Sequence, residues 1–268
     1  MRATQRHEKI LKILKFQDSV RTSELAQILG KSTETIRNDL EVLEKRGYLS
    51  RVHGGAVLKN KDNYIGVNNN INNFPTYISF NERFKQNISN KHAIALAAAN
   101  LVQEGQSIAL DSGTTSFETV LVLLEKFNNL TIVTNSLKIA CEVSKKPSHT
   151  LIMTGGVFSQ SEYSFVSDFA SLILEKINVD IMFLSPHALS IEHGATTQLF
   201  NEAVVNNKMR KIAKKLIVLA DSSKFEKTSL IRLCNLSDID IVVTDSNLDQ
   251  SIIEKYRDNG CNLIVSEF

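Results

Sequence analysis

Two groups of polar residues could carry the chemistry of this 268-residue chain. The first is Ser32, Thr33, Glu34, Thr35, Arg37 and Asn38, followed by Arg51, Val52, His53 and Gly54. Hydroxyl, amide and guanidinium groups at that spacing suit base edges and phosphates in a DNA major groove. A solvated helix face is the plainer alternative. The second group is Asp111-Ser112-Gly113-Thr114-Thr115-Ser116, Thr134-Asn135-Ser136, Gly155-Gly156 and Asp221-Ser222-Ser223-Lys224. Hydroxyls and free helix amides around a glycine turn suit a phosphate, and Lys224 adds a positive charge. The alternatives are an ordinary capped turn and a surface pair between Lys224 and Asp221. From the hexapeptide at 111–116 alone the two readings are evenly matched.

The elements that hold the first group are legible from apolar spacing. Leu25, Ile28 and Leu29 predict one buried helix face, capped by Thr22 or Ser23 and ended by Gly30. Ser32 or Thr33 caps the next helix, whose stripe is Ile36, Leu40 and Leu43 and which Gly47 ends. A helix at about 5–16 offers Ile10, Ile13 and Leu14 as a third face. Leu49 and Val52, then Ala56 and Val57, flank Gly54-Gly55 and predict a hairpin wing lying on DNA backbone. This is the layout of a winged helix-turn-helix, with the groove-reading residues at the start of the second motif helix. Charge agrees. Residues 1–58 hold 11 Lys/Arg against 7 Asp/Glu, a net +4, and the other 210 hold 20 against 22, a net −2.

Residues 59–76 contain five Asn between 68 and 73 and Pro75. So polar a tract predicts a tether. The expected domains are therefore 1–58, a linker at 59–76, and 77–268. In the last, a helix over 80–102 precedes apolar runs at 107–110, 130–134, 150–154, 181–185, 216–220, 239–244 and 262–265. Helical patterns fall at 116–126, 137–144, 168–177, 202–214 and 249–258. Such alternation predicts an α/β domain with a mostly parallel sheet, which binds ligands beyond the strands' carboxyl ends.

Composition narrows the class. Apolar content of 43% supplies packed cores. Cys141, Cys234 and Cys261 are widely spaced, which predicts reduced thiols, no metal site and no cofactor. No apolar run approaches the roughly 18–20 residues of a membrane span, and 1–10 lacks an apolar signal segment. A cytoplasmic, soluble protein with no membrane partner is expected.

The ordered residues Leu25-Ala26 through Asp39-Leu40, then Arg51-Val52-His53-Gly54-Gly55-Ala56, resemble the DeoR family of bacterial transcriptional regulators. That family's pattern is roughly L-A-x-x-L-x-V-S-x-x-T-I-R-R-D-L, then R-x-H-G-G-A. Lys31 replaces a usual Val, and Asn38 a usual second Arg. The resemblance continues through Asp111–Thr115, Thr134–Ser136, Gly155-Gly156, Gly194–Thr197 and Asp221–Phe225. Phe165-Val166-Ser167 lacks a usual glycine. Ser185-Pro186-His187-Ala188-Leu189 stands where G-x-D-G-I is usual. The resemblance implies a sugar-phosphate-isomerase-like sensor domain, a double-stranded DNA operator, a phosphorylated sugar or polyol effector, and a homo-oligomer. Segments 127–131 and 135–137 are similar to repressors of sugar-alcohol operons such as glucitol or galactitol. The competing function is an isomerase-like enzyme carrying a DNA module. Position 187 lacks the carboxylate expected there, and Glu192, His193 or Glu202 would have to substitute, although surface or helix-capping roles suit those three better. A metal sensor using His187, His193 and a Cys is the weakest reading, because no tight ligand spacing supports it.

Overall fold

A computed structural model describes residues 6–7, 9–11, 13–14, 19–45, 48–52, 54–58 and 78–267. The chain divides into two compact units, residues 1–70 and 71–268. His53, Gly47 and the tract 59–76 lie outside the described residues.

In the first unit the described residues of 6–14 are helical. Strand β1 (Ser19–Arg21) leads into α1 (Thr22–Leu29), α2 (Thr33–Lys45) and the hairpin β2 (Leu49–Val52) and β3 (Gly55–Leu58). The three strands form an antiparallel sheet in the order β1-β3-β2. Ile10, Leu14, Leu25, Ile36, Leu40, Leu43, Leu49 and Ala56 close one core. Gly30 ends α1 in the left-handed conformation, as expected.

Three expectations fail here, each because β1 was not anticipated or because a face is narrower than its spacing suggests. Neither Thr22 nor Ser23 caps α1. Its N-cap is Arg21, without a side-chain bond, and the Thr22 N–H donates to the Gly54 carbonyl of the wing at 2.9 Å. Ile28 is exposed, and Ala26 takes the core position instead. Val52 is exposed as well. The paired glycines have separate reasons. Gly54 turns the wing at φ 81°. Gly55 lets β1 approach, since a Cβ there would stand 2.3 Å from the Val20 carbonyl oxygen.

In the second unit all seven expected strands join one parallel sheet, in the order β15-β14-β12-β9-β4-β5-β6. They are β4 (Ser107–Leu110), β5 (Thr131–Thr134), β6 (Thr150–Met153), β9 (Val179–Leu184), β12 (Ala213–Leu219), β14 (Ile241–Thr244) and β15 (Leu263–Val265). Both faces are covered, so strand residues alternate between two cores. Ile108, Leu110, Ile181, Phe183, Ile217 and Leu219 pack in one. Ala109, Met182, Leu184, Val218 and Val242 pack in the other. Helix α5 (Thr114–Lys126) supplies residues to one core, and α7 (Phe169–Leu174) and α8 (Phe200–Ile212) to the other.

The expected helix over 80–102 is two helices, α3 (Phe80–Phe84) and α4 (Ile88–Ala99). They are broken at Asn87, whose φ is 50°. The buried Lys91 secures that corner by donating to the carbonyls of Arg83, at 2.5 Å, and Gln86. Two small antiparallel pieces also lie outside the expected set. One is the hairpin β7 (Val157–Ser159) and β8 (Ser164–Val166). The other is the sheet β10 (Ala188–Ser190), β11 (Gly194–Thr197) and β13 (Ile231–Cys234). No described helix is long and apolar enough to cross a membrane.

Candidate functional site

Each unit carries one candidate site. In the first, α2 begins at Ser32, whose Oγ accepts the Thr35 N–H at 3.2 Å and lies 2.8 Å from Thr35 Oγ1. Ser32 is thus the cap, and Ser32 and Thr35 hold each other. Thr33, Glu34, Arg37 and Asn38 are exposed together on the first turns of the helix. Arg37 Nη1 stands 3.4 Å from Glu34 Oε2 with both side chains mostly in solvent. A pair so exposed holds weakly, which leaves the guanidinium able to turn to another acceptor. The wing is tied to this helix. The Arg51 N–H donates to Glu44 Oε1 at 2.8 Å, and its exposed guanidinium lies 3.5 Å from the same carboxylate.

Asp39 has a role that the spacing of α2 does not assign. It sits on the buried side of α2, where its carboxylate accepts from Arg6 Nη2 and His7 Nε2, both at 2.9 Å. Burial pushes its pKa upward, but the bonds from Arg6 and His7 outweigh that and hold it low. A charged residue inside an apolar stripe was the available signal, because a buried carboxylate requires partners. The tie fixes the leading helical residues against α2 and so sets its angle of presentation.

The second site is a cavity at the carboxyl ends of β4 and β9. The chain runs outward from β4 through β5 and β6, and in the other direction from β9 through β12, β14 and β15. These two neighbours therefore mark the topological switch point, where open sheets leave a crevice. Asp111, Ser112, Gly113, Thr114 and Thr115 line it from one side and Ser185 and His187 from the other. Gly113 permits the close approach, since a Cβ would stand 2.4 Å from that of Ser185. The Asp111 carboxylate is already engaged, accepting from Ser116 Oγ, the Gly113 N–H at 3.2 Å and the Ser185 N–H at 3.0 Å. Burial raises its pKa to about 6 against the pull of those bonds. Asp111 therefore holds the loop in place. Thr114 and Thr115 open α5, where the first amides have no helical partner.

Lys224, from the turn after β12, lines the same cavity. Its amine makes no ion pair or hydrogen bond with any described residue. Asp221 does not take it; that carboxylate accepts from Ser223 and Asn87. Burial lowers the Lys224 pKa, and the charge of Asp221 opposes the shift.

Thr134, Asn135, Ser136, Gly155 and Gly156 are not among the lining residues. Thr134 Oγ1 donates to the Leu110 carbonyl at 2.8 Å, and Asn135 Nδ2 to that of Phe165 at 3.2 Å. Ser136 caps α6 (Leu137–Val143), and the glycines turn the chain from β6 into β7 at φ 65° and 117°. These residues shape the loops behind the cavity.

Arg83 and Glu162 enter the cavity without having been singled out in the sequence. They pair through two bonds, Nη1 to Oε1 at 3.3 Å and Nη2 to Oε2 at 2.6 Å. Their 79-residue separation leaves no local signal. Arg83 Nη1 also faces His187 Nε2 at 2.9 Å. An arginine only donates, so Nε2 accepts and the proton sits on Nδ1, 2.9 Å from Thr197 Oγ1. Burial, then the charge of Arg83, lowers the His187 pKa well below the usual value and keeps the ring neutral. Glu202 is buried in this cavity, not at the surface, and burial followed by the charge of Glu162 raises its pKa to about 8. Glu192 and His193 lie away from the lining, 3.6 Å from each other. Among the described residues no three His, Cys, Asp or Glu side chains gather as a metal site.

Comparison with known proteins accounts for both units. The model of the DeoR-like helix-turn-helix domain matches residues 6–62, and that of the DeoR C terminal sensor domain matches 86–246. The chain is 32% identical to the lactose phosphotransferase system repressor of Streptococcus mutans serotype c, over 96% of this chain and 99% of that one. It is 30% identical to the HTH-type transcriptional regulator GolR of Listeria innocua serovar 6a, over 98% of each. Among solved structures, ribose 5-phosphate isomerase A from Methanocaldococcus jannaschii overlaps 52% of this chain and 55% of its own. Its TM-score is 0.40 at 18% identity, a likeness of fold alone. A reader and a sensor of one kind, joined as they are along nearly the full length of such regulators, make this chain a member of the DeoR family of transcriptional regulators.

Proposed function

We propose that this protein represses a sugar or sugar-alcohol catabolic operon and that a phosphorylated sugar or polyol sets its affinity for operator DNA. Thr33, Glu34, Arg37 and Asn38 read the major groove from α2, with Ser32 and Thr35 fixing its first turn. Arg51, His53 and the Gly54 turn rest on the backbone of the duplex. One observation carries the effector assignment: the Lys224 amine makes no ion pair or hydrogen bond with any described residue, in a cavity also lined by Thr114 and Thr115 at the start of α5. That set suits a phosphate. The relative named as a lactose phosphotransferase system repressor supports the sugar class. A homo-oligomer supplies the paired readers that repeated half-sites require. Effector control requires different affinities for the two DNA-binding states.

The test uses the full chain. Selection from random duplexes defines the operator, and anisotropy titrations then measure affinity with and without hexose and hexitol monophosphates. At least one phosphorylated compound shifts operator affinity and its unphosphorylated counterpart does not. Equal affinity with and without every compound rejects the effector reading. The buried carboxyl of Glu202 favours one second reading, an isomerase-like activity needing a proton-transfer group. Turnover of any compound in the same set would establish it.

A further inference from the structure

Glu202 and Asn206 lie one turn apart on α8, so their side chains share one face, and both line the cavity. Both are buried. Ser112 Oγ and Ser164 Oγ each donate to Glu202 Oε1, at 3.1 and 3.4 Å. Glu202 Oε2 makes no hydrogen bond with any described residue. Asn206 Oδ1 is buried, also with no partner among the described residues.

We infer that Glu202 and Asn206 read a hydroxyl group of the bound effector, as a donor and an acceptor set side by side. The inference rests on the phosphorylated-sugar reading above and names the residues that choose among such compounds. Two donors already occupy Oε1, so the acid proton belongs on Oε2. Burial and the neighbouring Glu162 keep that proton in place at neutral pH. Asn206 Oδ1 offers a lone pair that nothing in the described chain uses. A hydroxyl both accepts and donates, so it satisfies the pair at once. A carboxylate or a fully ionised phosphate monoester could meet the donor but not the acceptor. An ammonium could meet the acceptor but not the donor. Arg83 does not compete for the role, because Glu162, His187 and the Ile78 carbonyl engage it. The phosphate then falls to Lys224 and the α5 amides, and the carbon chain to this pair.

The experiment is calorimetric titration of the full-length protein with glucitol 6-phosphate, galactitol 1-phosphate, glucose 6-phosphate, 2-deoxyglucose 6-phosphate and inorganic phosphate. Asn206→Leu removes a buried amide oxygen that has no partner among the described residues, so its melting temperature stays level or rises. It weakens the tightest-binding sugar or hexitol phosphate about tenfold or more, the effect of one unmade hydrogen bond. Inorganic phosphate changes less than about twofold. Glu202→Leu shows the same split. Glu202→Gln, which keeps a neutral donor, recovers most of the loss. Equal losses for inorganic phosphate and the sugar phosphate in Asn206→Leu, or no loss in either, overturn the inference. Failure of the wild type to bind any sugar or hexitol phosphate overturns the effector reading itself, and this one with it.

Discussion

The Ser185 N–H donates to Asp111 Oδ2 at 3.0 Å and so joins the loops that follow β4 and β9 across the switch point. The β4–β9 ladder itself ends at Leu110 and Phe183, so this bond carries the pairing one step past it. Ser116 Oγ and the Gly113 N–H converge on the other oxygen of the same carboxylate. One buried side chain therefore sets the width of the cavity and the start of α5, although its oxygens are spent on the protein and not on a ligand.

Asp111→Ala leaves those donors unpaired in a buried place. Each orphaned donor costs on the order of 1–3 kcal/mol. Denaturant unfolding should show a loss of about 2 kcal/mol or more, with the effector response lost as the α5 terminus shifts. A variant with unchanged midpoint would mean that water replaces the carboxylate.

Arg37→Ala should abolish specific operator binding and leave the fold intact. Its ion pair with Glu34 is exposed, at 3.4 Å, and its removal costs less than about 1 kcal/mol. Footprinting and a thermal melt on the same sample separate the two effects. A footprint equal to wild type rejects α2 as the groove reader.

Much of this organisation is legible in the sequence because it rests on local spacing. The alternation through Ile108-Ala109-Leu110 and Ile181-Met182-Phe183-Leu184 marks strands buried on both faces, and all seven runs enter the sheet. Ser32 and Gly30 mark helix ends through chemistry that is also local. What stays hidden depends on distant pairing. Arg83 meets Glu162 and His187 only after folding, and the helical pattern expected over 80–102 gives no sign that Asn87 turns left-handed. Strand β1 is three residues long and is defined by its partner β3. Thr134 and Asn135 have the residue types of a phosphate loop, yet the Thr134 hydroxyl and the Asn135 amide nitrogen donate to the carbonyls of Leu110 and Phe165. Composition cannot tell a group that lines a cavity from one that braces its wall.

Glu202 makes the stability of the sensor unit depend on pH, with a definite sign. An unfolded glutamate titrates at about 4.3, and burial raises the folded value to about 8. Between those values the native state keeps a proton that the unfolded chain has lost. Stability fully present below the lower value is therefore lost as pH rises toward the upper one. His187 and Lys91, both shifted downward by burial, act in the opposite sense, so the total curve mixes signs. Glu202→Gln isolates the carboxyl. Its melting temperature relative to wild type should climb by several degrees between pH 5 and 8.5, on the order of 1–2 kcal/mol or more. Parallel curves across that range would show that Glu202 is ionised in the native state.

Lys224→Met tests the phosphate assignment by separating charge from packing. The methionine keeps an apolar stem in place of the lysine's and removes an amine that burial disfavours and that no described residue pairs with. Stability should hold level or rise. Loss of a charge-assisted bond of about 1.5–3 kcal/mol weakens a phosphorylated effector by roughly tenfold to a hundredfold. Calorimetry against the tightest-binding sugar phosphate reads this directly, with the unphosphorylated sugar as the control. If Lys224 were a structural residue, the melt would fall and both ligands would weaken together. If it were an idle surface charge, neither would change. Only a phosphate contact weakens one ligand while the fold stands, because only then does a group from outside the chain supply the amine's direct partner.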